Sequence, residues 1–146
     1  TKAAPKPAAK AWLKIEKYGV QIEAPAGAKA NAGAGTSLMI QSGGSCTIML
    51  AKKDDMSFFE SYDSAKKTVE KGITGKMKEM LIDKKVDADN WTLFYSKAGM
   101  IDPKATQFAV SVRSKVGDGI YDCGRVVDAK ADAECVLAAC KSIKPL

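Results

Sequence analysis

Four cysteines constrain this chain more than any other feature of its sequence. Cys46 lies in the first third, whereas Cys123, Cys135 and Cys140 lie in the last quarter of 146 residues. An even number of cysteines in a small chain indicates disulfide bonds, and these persist in oxidising compartments. We therefore expect an extracytoplasmic protein that is periplasmic, attached to the cell envelope, or secreted.

Four cysteines allow three pairings, and the sequence does not choose among them. Cys140 lies on the apolar stripe of the predicted last helix, and Cys123 lies on the strand just before it. A bond between them would join helix to sheet and stabilise the fold by roughly 3 kcal/mol. Cys135 is turned about 140° away from Cys140 on that helix, so it could pair with Cys46 if the helix edge lies over that strand.

The chain contains no histidine, which removes the usual general base and the commonest transition-metal ligand. No two cysteines have the close spacing of a zinc site, and Asp87 and Asp89 lack the glycine and glutamate of a calcium loop. We therefore predict a protein that is not an enzyme and has no catalytic, cofactor-binding or metal site. The alternative is a carboxylate-based hydrolase or a small-molecule-binding enzyme, because a cleft that brings carboxylates together is invisible in sequence.

The positive charge of the chain does not indicate a nucleic-acid partner. The net charge is +6, but among 23 basic residues only Arg113 and Arg125 are arginines, and the lysines alternate with acids along the chain. Proteins that bind nucleic acids favour arginine and concentrate their basic residues on one part of the surface. We expect a non-enzymatic binding or accessory domain whose partner is a protein or an envelope component.

Residues 1–11 are rich in alanine, proline and lysine and have no periodicity, so we predict a flexible tether. Residues 12–146 form the single globular domain. No stretch approaches the roughly 20 apolar residues of a membrane span. We expect that a signal peptide, and with it a possible lipid anchor, preceded the tether. Membrane contact would then occur only through that lost anchor.

Apolar residues alternate in some segments and recur at helical spacing in others. The segment 12–24 is predicted to form two strands broken at Gly19, or one strand with a bulge there. The rest of the chain is predicted to form a loop over 26–35, a hairpin of 37–41 with 46–51, helices from Ser57 to Gly72 and over 75–84, strands over 90–96, 106–115 and 119–127, and a helix over 130–144. Hairpin-linked strands with amphipathic helices between and after them favour an antiparallel sheet covered by helices. We therefore predict an α+β fold in which helices lie on both sides of the sheet, an α-β-α sandwich.

The chain also resembles the PsbP/Mog1-like domains. The resemblance is carried by GVQIEAP in the first strands, the helical SFFESYDSAKKTVEKG, the strand NWTLFYS, the hairpin FAVSVRSKVGDGIYDCG and the closing ECVLAACKSIKP. It implies an α-β-α sandwich around an antiparallel sheet. It also implies a secreted or lipid-anchored bacterial protein. Members of that family serve unrelated purposes, so no functional residue is transferred.

Overall fold

The protein, represented here by a computed structural model, is described over residues 9–32, 37–44, 46–56 and 59–146. The helices are α1 (Tyr62–Glu70) and α2 (Lys130–Lys141), and Lys53–Asp55 form a 3-10 turn. The strands are β1 (Lys10–Ile15), β2 (Val20–Pro25), β3 (Lys29–Ala32), β4 (Leu38–Gln41), β5 (Ile48–Lys52), β6 (Met77–Asp87), β7 (Asn90–Ala98), β8 (Thr106–Val116), β9 (Gly119–Val127) and β10 (Lys144–Pro145).

Seven strands form one antiparallel sheet in the order β3-β4-β5-β9-β8-β7-β6. Strands β6 to β9 pair with their neighbours in the chain, and β5 joins them by pairing with β9. Successive side chains of a strand point to opposite faces. On β7, Trp91, Leu93 and Tyr95 therefore share one face of the sheet, while Phe94 lies on the other.

The main core lies on the Phe94 face. Three further strands form a small antiparallel sheet in the order β1-β2-β10, and its apolar residues pack into this core together with α2. Ile22, Ile48 and Val136 represent the small sheet, the large sheet and the helix, and none has measurable solvent exposure. A smaller cluster on the Trp91 face holds α1 through Ala65 and Val69.

The predicted α-β-α sandwich is wrong. The protein is mostly β, with 51% strand and 18% helix among the described residues, and it contains two antiparallel sheets. The stretch 75–84, predicted as a helix, lies largely within strand β6. Helix α1 has nine residues and buries only Ala65 and Val69, so it does not form a helical layer. The fold implied by the resemblance is corrected on the same grounds.

Two predicted boundaries also change. Helix α1 begins at Tyr62, where the Ser61 side chain accepts a hydrogen bond from the Ser64 N–H at 3.2 Å. Ser57, where the helix was predicted to begin, lies outside the described residues. Of the predicted tether, residues 1–8 also lie outside them, and Lys10 already belongs to β1.

Candidate functional site

A groove of about 600 Å³ crosses the ends of β7, β8 and β9 on the Trp91 face of the large sheet. Lys97 and Gln107 are cross-strand partners at its floor, and the Gln107 amide donates to Asp128 at 3.3 Å. The loop from Gly99 to Ala105 forms one wall, and Thr74 from the turn before β6 forms another. Strand pairing therefore places the floor, and two connecting segments form the walls.

Hydrogen bonds hold the backbone of the loop wall. The Gly99 N–H donates to the Ala105 carbonyl at 3.0 Å, and the Ala105 N–H donates to the Asp102 carbonyl at 3.0 Å. Lys78 donates from β6 to the hydroxyl of Thr106, just beyond the loop, at 2.6 Å. These bonds fix the loop from both ends.

The wall formed by Thr74 is held by Lys97, which is only 3% exposed. Its ammonium group donates to the Thr74 carbonyl at 2.5 Å. Gly75 has a φ of +127°, and a Cβ atom there would lie 2.4 Å from the Ala98 carbonyl oxygen. Only glycine fits this approach, so the turn and the end of β7 are held together by one buried cation and one glycine.

The rim of the groove is apolar and accessible. Ile101 is fully exposed at 102%, Met100 is 67% exposed and Val126 is 44% exposed. Single exposed apolar residues are ordinary, but three around one concave surface make that surface a candidate binding site. Methionine adds a flexible side chain that adapts to differently shaped partners.

Two carboxylates also line the groove, and both are exposed. Asp102 accepts a hydrogen bond from the Lys104 N–H at 3.0 Å, and Asp128 accepts from Gln107. Catalytic acids and bases are tuned by burial or by a close charged neighbour. For Asp102 and Asp128 the structure shows only these local hydrogen bonds and solvent-exposed side chains.

A buried ion pair lies on the same face, towards the other end of β7 and β8. The Arg113 guanidinium is 4% exposed and binds both carboxylate oxygens of Asp122 at 2.8 and 2.9 Å. The Phe59 ring lies 3.7 Å from the guanidinium carbon and the Trp91 ring 4.9 Å from it. Burial raises the pKa of Asp122, and the guanidinium opposes that shift. Both charges are satisfied within the fold, so this cluster stabilises the sheet.

The structure brings the four cysteines together in two bonds. Cys123 of β9 is bonded to Cys140 of α2, with Cα atoms 5.5 Å apart. Cys46, which precedes β5, is bonded to Cys135 of α2, with Cα atoms 6.0 Å apart. Both bonds attach the last helix to the large sheet.

The turn at 87–90 and the segment 26–35 do not line the groove. Asp87 accepts hydrogen bonds from the Asp89 N–H and the Asn90 side chain at 2.9 and 3.0 Å, which closes the turn between β6 and β7. The loop predicted over 26–35 contains strand β3, and residues 33–36 lie outside the described residues. Within the described ranges, no group of three or more Asp, Glu and Cys side chains is arranged to hold a metal ion.

The groove residues were not predicted from the sequence. Met100 and Ile101 stand between Gly99 and the Asp102–Pro103 pair, in a connection between two strands. Two adjacent apolar residues in such a turn have no strand or helix face to occupy, and this is the signal that could have identified them.

Comparison of the chain with models of known protein families finds no match, and neither does comparison with curated proteins. Across the described part of the chain, no helix is long and apolar enough to cross a membrane.

Proposed function

We propose that this protein is a non-enzymatic binding domain that works outside the cytoplasm and holds an apolar segment of a partner protein in the groove. The observation that carries the proposal is the exposure of Met100, Ile101 and Val126 around a concave surface whose walls are fixed by hydrogen bonds. A fixed loop does not have to be ordered on binding, so less free energy is lost when a partner binds.

The polar floor adds specificity to this apolar rim. The Lys97 ammonium has three N–H donors, and one of them is bonded to the Thr74 carbonyl. Lys97 forms no ion pair with another described residue. A partner segment that offers a carbonyl or carboxylate oxygen beside an apolar side chain therefore complements the groove.

The extracytoplasmic part of the proposal rests on the two disulfide bonds, which are consistent with a compartment where cystines persist. The alternative, a carboxylate-based hydrolase, would use Asp102 and Asp128. Their exposure and their local hydrogen bonds favour the binding function instead.

A selection from a random peptide library displayed on phage tests the groove. We expect the enriched peptides to share an apolar anchor and to shift the NMR amide signals of Thr74, the loop 99–105 and Val126. The variant Met100→Ser/Ile101→Ser should lose this binding because it removes the exposed apolar rim.

Val86→Ser provides the matched control, since Val86 is 69% exposed on β6 outside the groove. Equal binding by the wild-type protein and by Met100→Ser/Ile101→Ser would contradict the groove assignment. Hydrolysis of a selected peptide that Asp102→Asn or Asp128→Asn abolishes would favour the enzymatic alternative.

A further inference from the structure

We propose that the free edge of β1 binds an extended acidic segment of a partner protein, which adds to the small sheet as a fourth strand. This surface is separate from the groove. It consists of β1 with the neighbouring side chains of β2 and β10, and we call it the β1 edge.

The hydrogen-bond register shows which backbone groups of β1 are unused. The Ala26 N–H donates to the Ala9 carbonyl at 2.7 Å, and Lys10 is the cross-strand partner of Pro25. Lys10 and Pro25 therefore form a non-hydrogen-bonded pair, and this pattern alternates along the strands. It follows that Lys10, Trp12 and Lys14 turn their N–H and C=O groups away from β2.

No described strand pairs with this outer side, because β1 is the last strand of its sheet. The other edges are less suitable for strand addition. Strand β6 has three shifts of register against β7, which disturb its ladder, and β3 has only four residues. Strand β1 pairs with β2 in continuous register over six residues. Among the described strands, β1 thus offers a regular edge that no other strand covers.

The side chains of the β1 edge select an acidic partner. Lys10, Trp12 and Lys14 share the solvent face, and the Lys144 ammonium lies 4.0 Å from the centre of the Trp12 ring, which is 43% exposed. Glu23, opposite Trp12, is the acidic residue among the cross-strand partners of this face. None of the three lysines forms an ion pair with another described residue. An incoming strand with carboxylates opposite Lys10 and Lys14 would form two opposite-charge pairs.

The same lysines argue against a second copy of this chain as the occupant. Two β1 strands that paired antiparallel about Trp12 would place Lys10 of one copy opposite Lys14 of the other, twice. Like charges directly opposite each other destabilise a sheet. Lysines on an edge strand thus prevent self-association and leave the edge available to a strand of opposite charge.

The test uses the full chain and a short synthetic peptide in which glutamate, valine and glutamate occupy alternating positions with threonine between them. We expect the peptide to shift the NMR amide signals of Lys10, Trp12 and Lys14 and to slow their hydrogen exchange. Methylation of the peptide nitrogens that face β1 should weaken binding by about tenfold, because it removes backbone hydrogen bonds without changing the protein.

Charge is tested separately. Lys14→Gln keeps the backbone N–H and should weaken binding by about two- to fivefold. Lys29→Gln is the matched control, because Lys29 is an exposed lysine on the edge strand β3. A peptide with lysine in place of glutamate should not bind.

Three results would overturn the proposal. The first is the absence of any shift at the β1 edge. The second is unchanged binding of the methylated peptide or of the lysine peptide, since neither can pair as proposed. The third is displacement of the peptide by a DNA oligonucleotide at equal charge concentration, which would show a general attraction of anions. Shifts confined to the loop 99–105 are one form of the first result and would assign the peptide to the groove.

Discussion

At the scale of single residues, one surface network joins α1 to β6. The Lys66 ammonium lies 2.7 Å from the Asp83 carboxylate, and the Tyr62 hydroxyl donates to the other carboxylate oxygen. The Lys66 contact, and then the Tyr62 hydrogen bond, lower the pKa of Asp83 below its ordinary value of 3.8. A carboxyl whose pKa is lowered by folding stabilises the protein above its unfolded pKa and loses that effect as the pH falls through the folded pKa.

An NMR titration should therefore find the pKa of Asp83 below 3.8. Lys66→Met should raise that pKa towards its ordinary value and flatten the loss of stability below pH 3.8. Lys67→Met, at an exposed position one residue further along α1, should leave the pKa of Asp83 unchanged. If both variants changed the pKa of Asp83 equally, the lowered pKa would come from the net charge of the helix and not from the Lys66 contact.

The buried pair of Arg113 and Asp122 makes an asymmetric prediction. The Arg113 side chain is 4% exposed and the Asp122 side chain is 28% exposed. Asp122→Asn leaves a guanidinium without a counter-charge where water does not reach it, so we expect a loss of about 3 kcal/mol in the free energy of unfolding. Arg113→Met leaves a carboxylate that water can partly solvate, and it should cost less.

Urea unfolding at neutral pH gives the free energy of unfolding of the two single variants and of the double variant Arg113→Met/Asp122→Asn. The double variant should be more stable than Asp122→Asn alone, because no unpaired charge is left. A larger loss for Arg113→Met than for Asp122→Asn would show that stacking on Phe59 and Trp91 contributes more than the ion pair.

At the scale of elements, the sequence indicates most strands and misassigns β6. Regular alternation identified β7, β8 and β9, because β8 pairs with both β7 and β9 in continuous register. Strand β6 has shifts of register between Met77 and Glu79 and between Met80 and Ile82. These shifts place Met77 and Met80 on one face although they are three residues apart, which imitates helical spacing.

Strand β3 has four exposed residues and no apolar alternation, so only its pairing with β4 defines it.

The centre of the large sheet has a position where a methyl group does not fit. A Cβ atom at Gly124 of β9 would lie 1.9 Å from the Val110 carbonyl oxygen of β8. Gly124→Ala should therefore lower the free energy of unfolding by about 3 kcal/mol or more, since two backbones must separate. Gly44→Ala is the matched control, because nothing lies within 4 Å of the added atom. Thermal unfolding of both variants checks this, and a stable Gly124→Ala protein would mean that β8 and β9 adjust freely.

At the scale of the whole molecule, the two disulfide bonds differ in accessibility. Cys140 has no exposed surface and Cys123 is 5% exposed, whereas Cys46 is 8% exposed and Cys135 is half-buried. A reductant must reach a sulfur atom to attack it, so the Cys46–Cys135 bond should be reduced first. Alkylation during mild reduction, followed by mass spectrometry, shows which of the two disulfide bonds is reduced first. Earlier labelling of Cys123 and Cys140 would show that α2 opens before the surface bond breaks.

The groove and the β1 edge are also features of the whole molecule. Neither could be predicted from the sequence. Apolar patterns are set by the core, so they revealed the core strands and the last helix. The groove depends instead on which loops meet at one end of the sheet, and the β1 edge depends on which strand is left unpaired. Both are consequences of topology, and the topology differs from the predicted α-β-α sandwich.

The last prediction tests the compartment through the state of all four cysteines. Protein taken from its native compartment, denatured without reduction and titrated with a thiol reagent, should show no reactive thiol, because all four sulfur atoms are paired. Peptide mapping of the same sample should find Cys46 with Cys135 and Cys123 with Cys140. Cytosolic reductants keep thiols free, so four reactive thiols would contradict the extracytoplasmic assignment. A different pairing would leave that assignment intact and would contradict instead the placement of α2 over the large sheet, since each bond fixes one side of that helix.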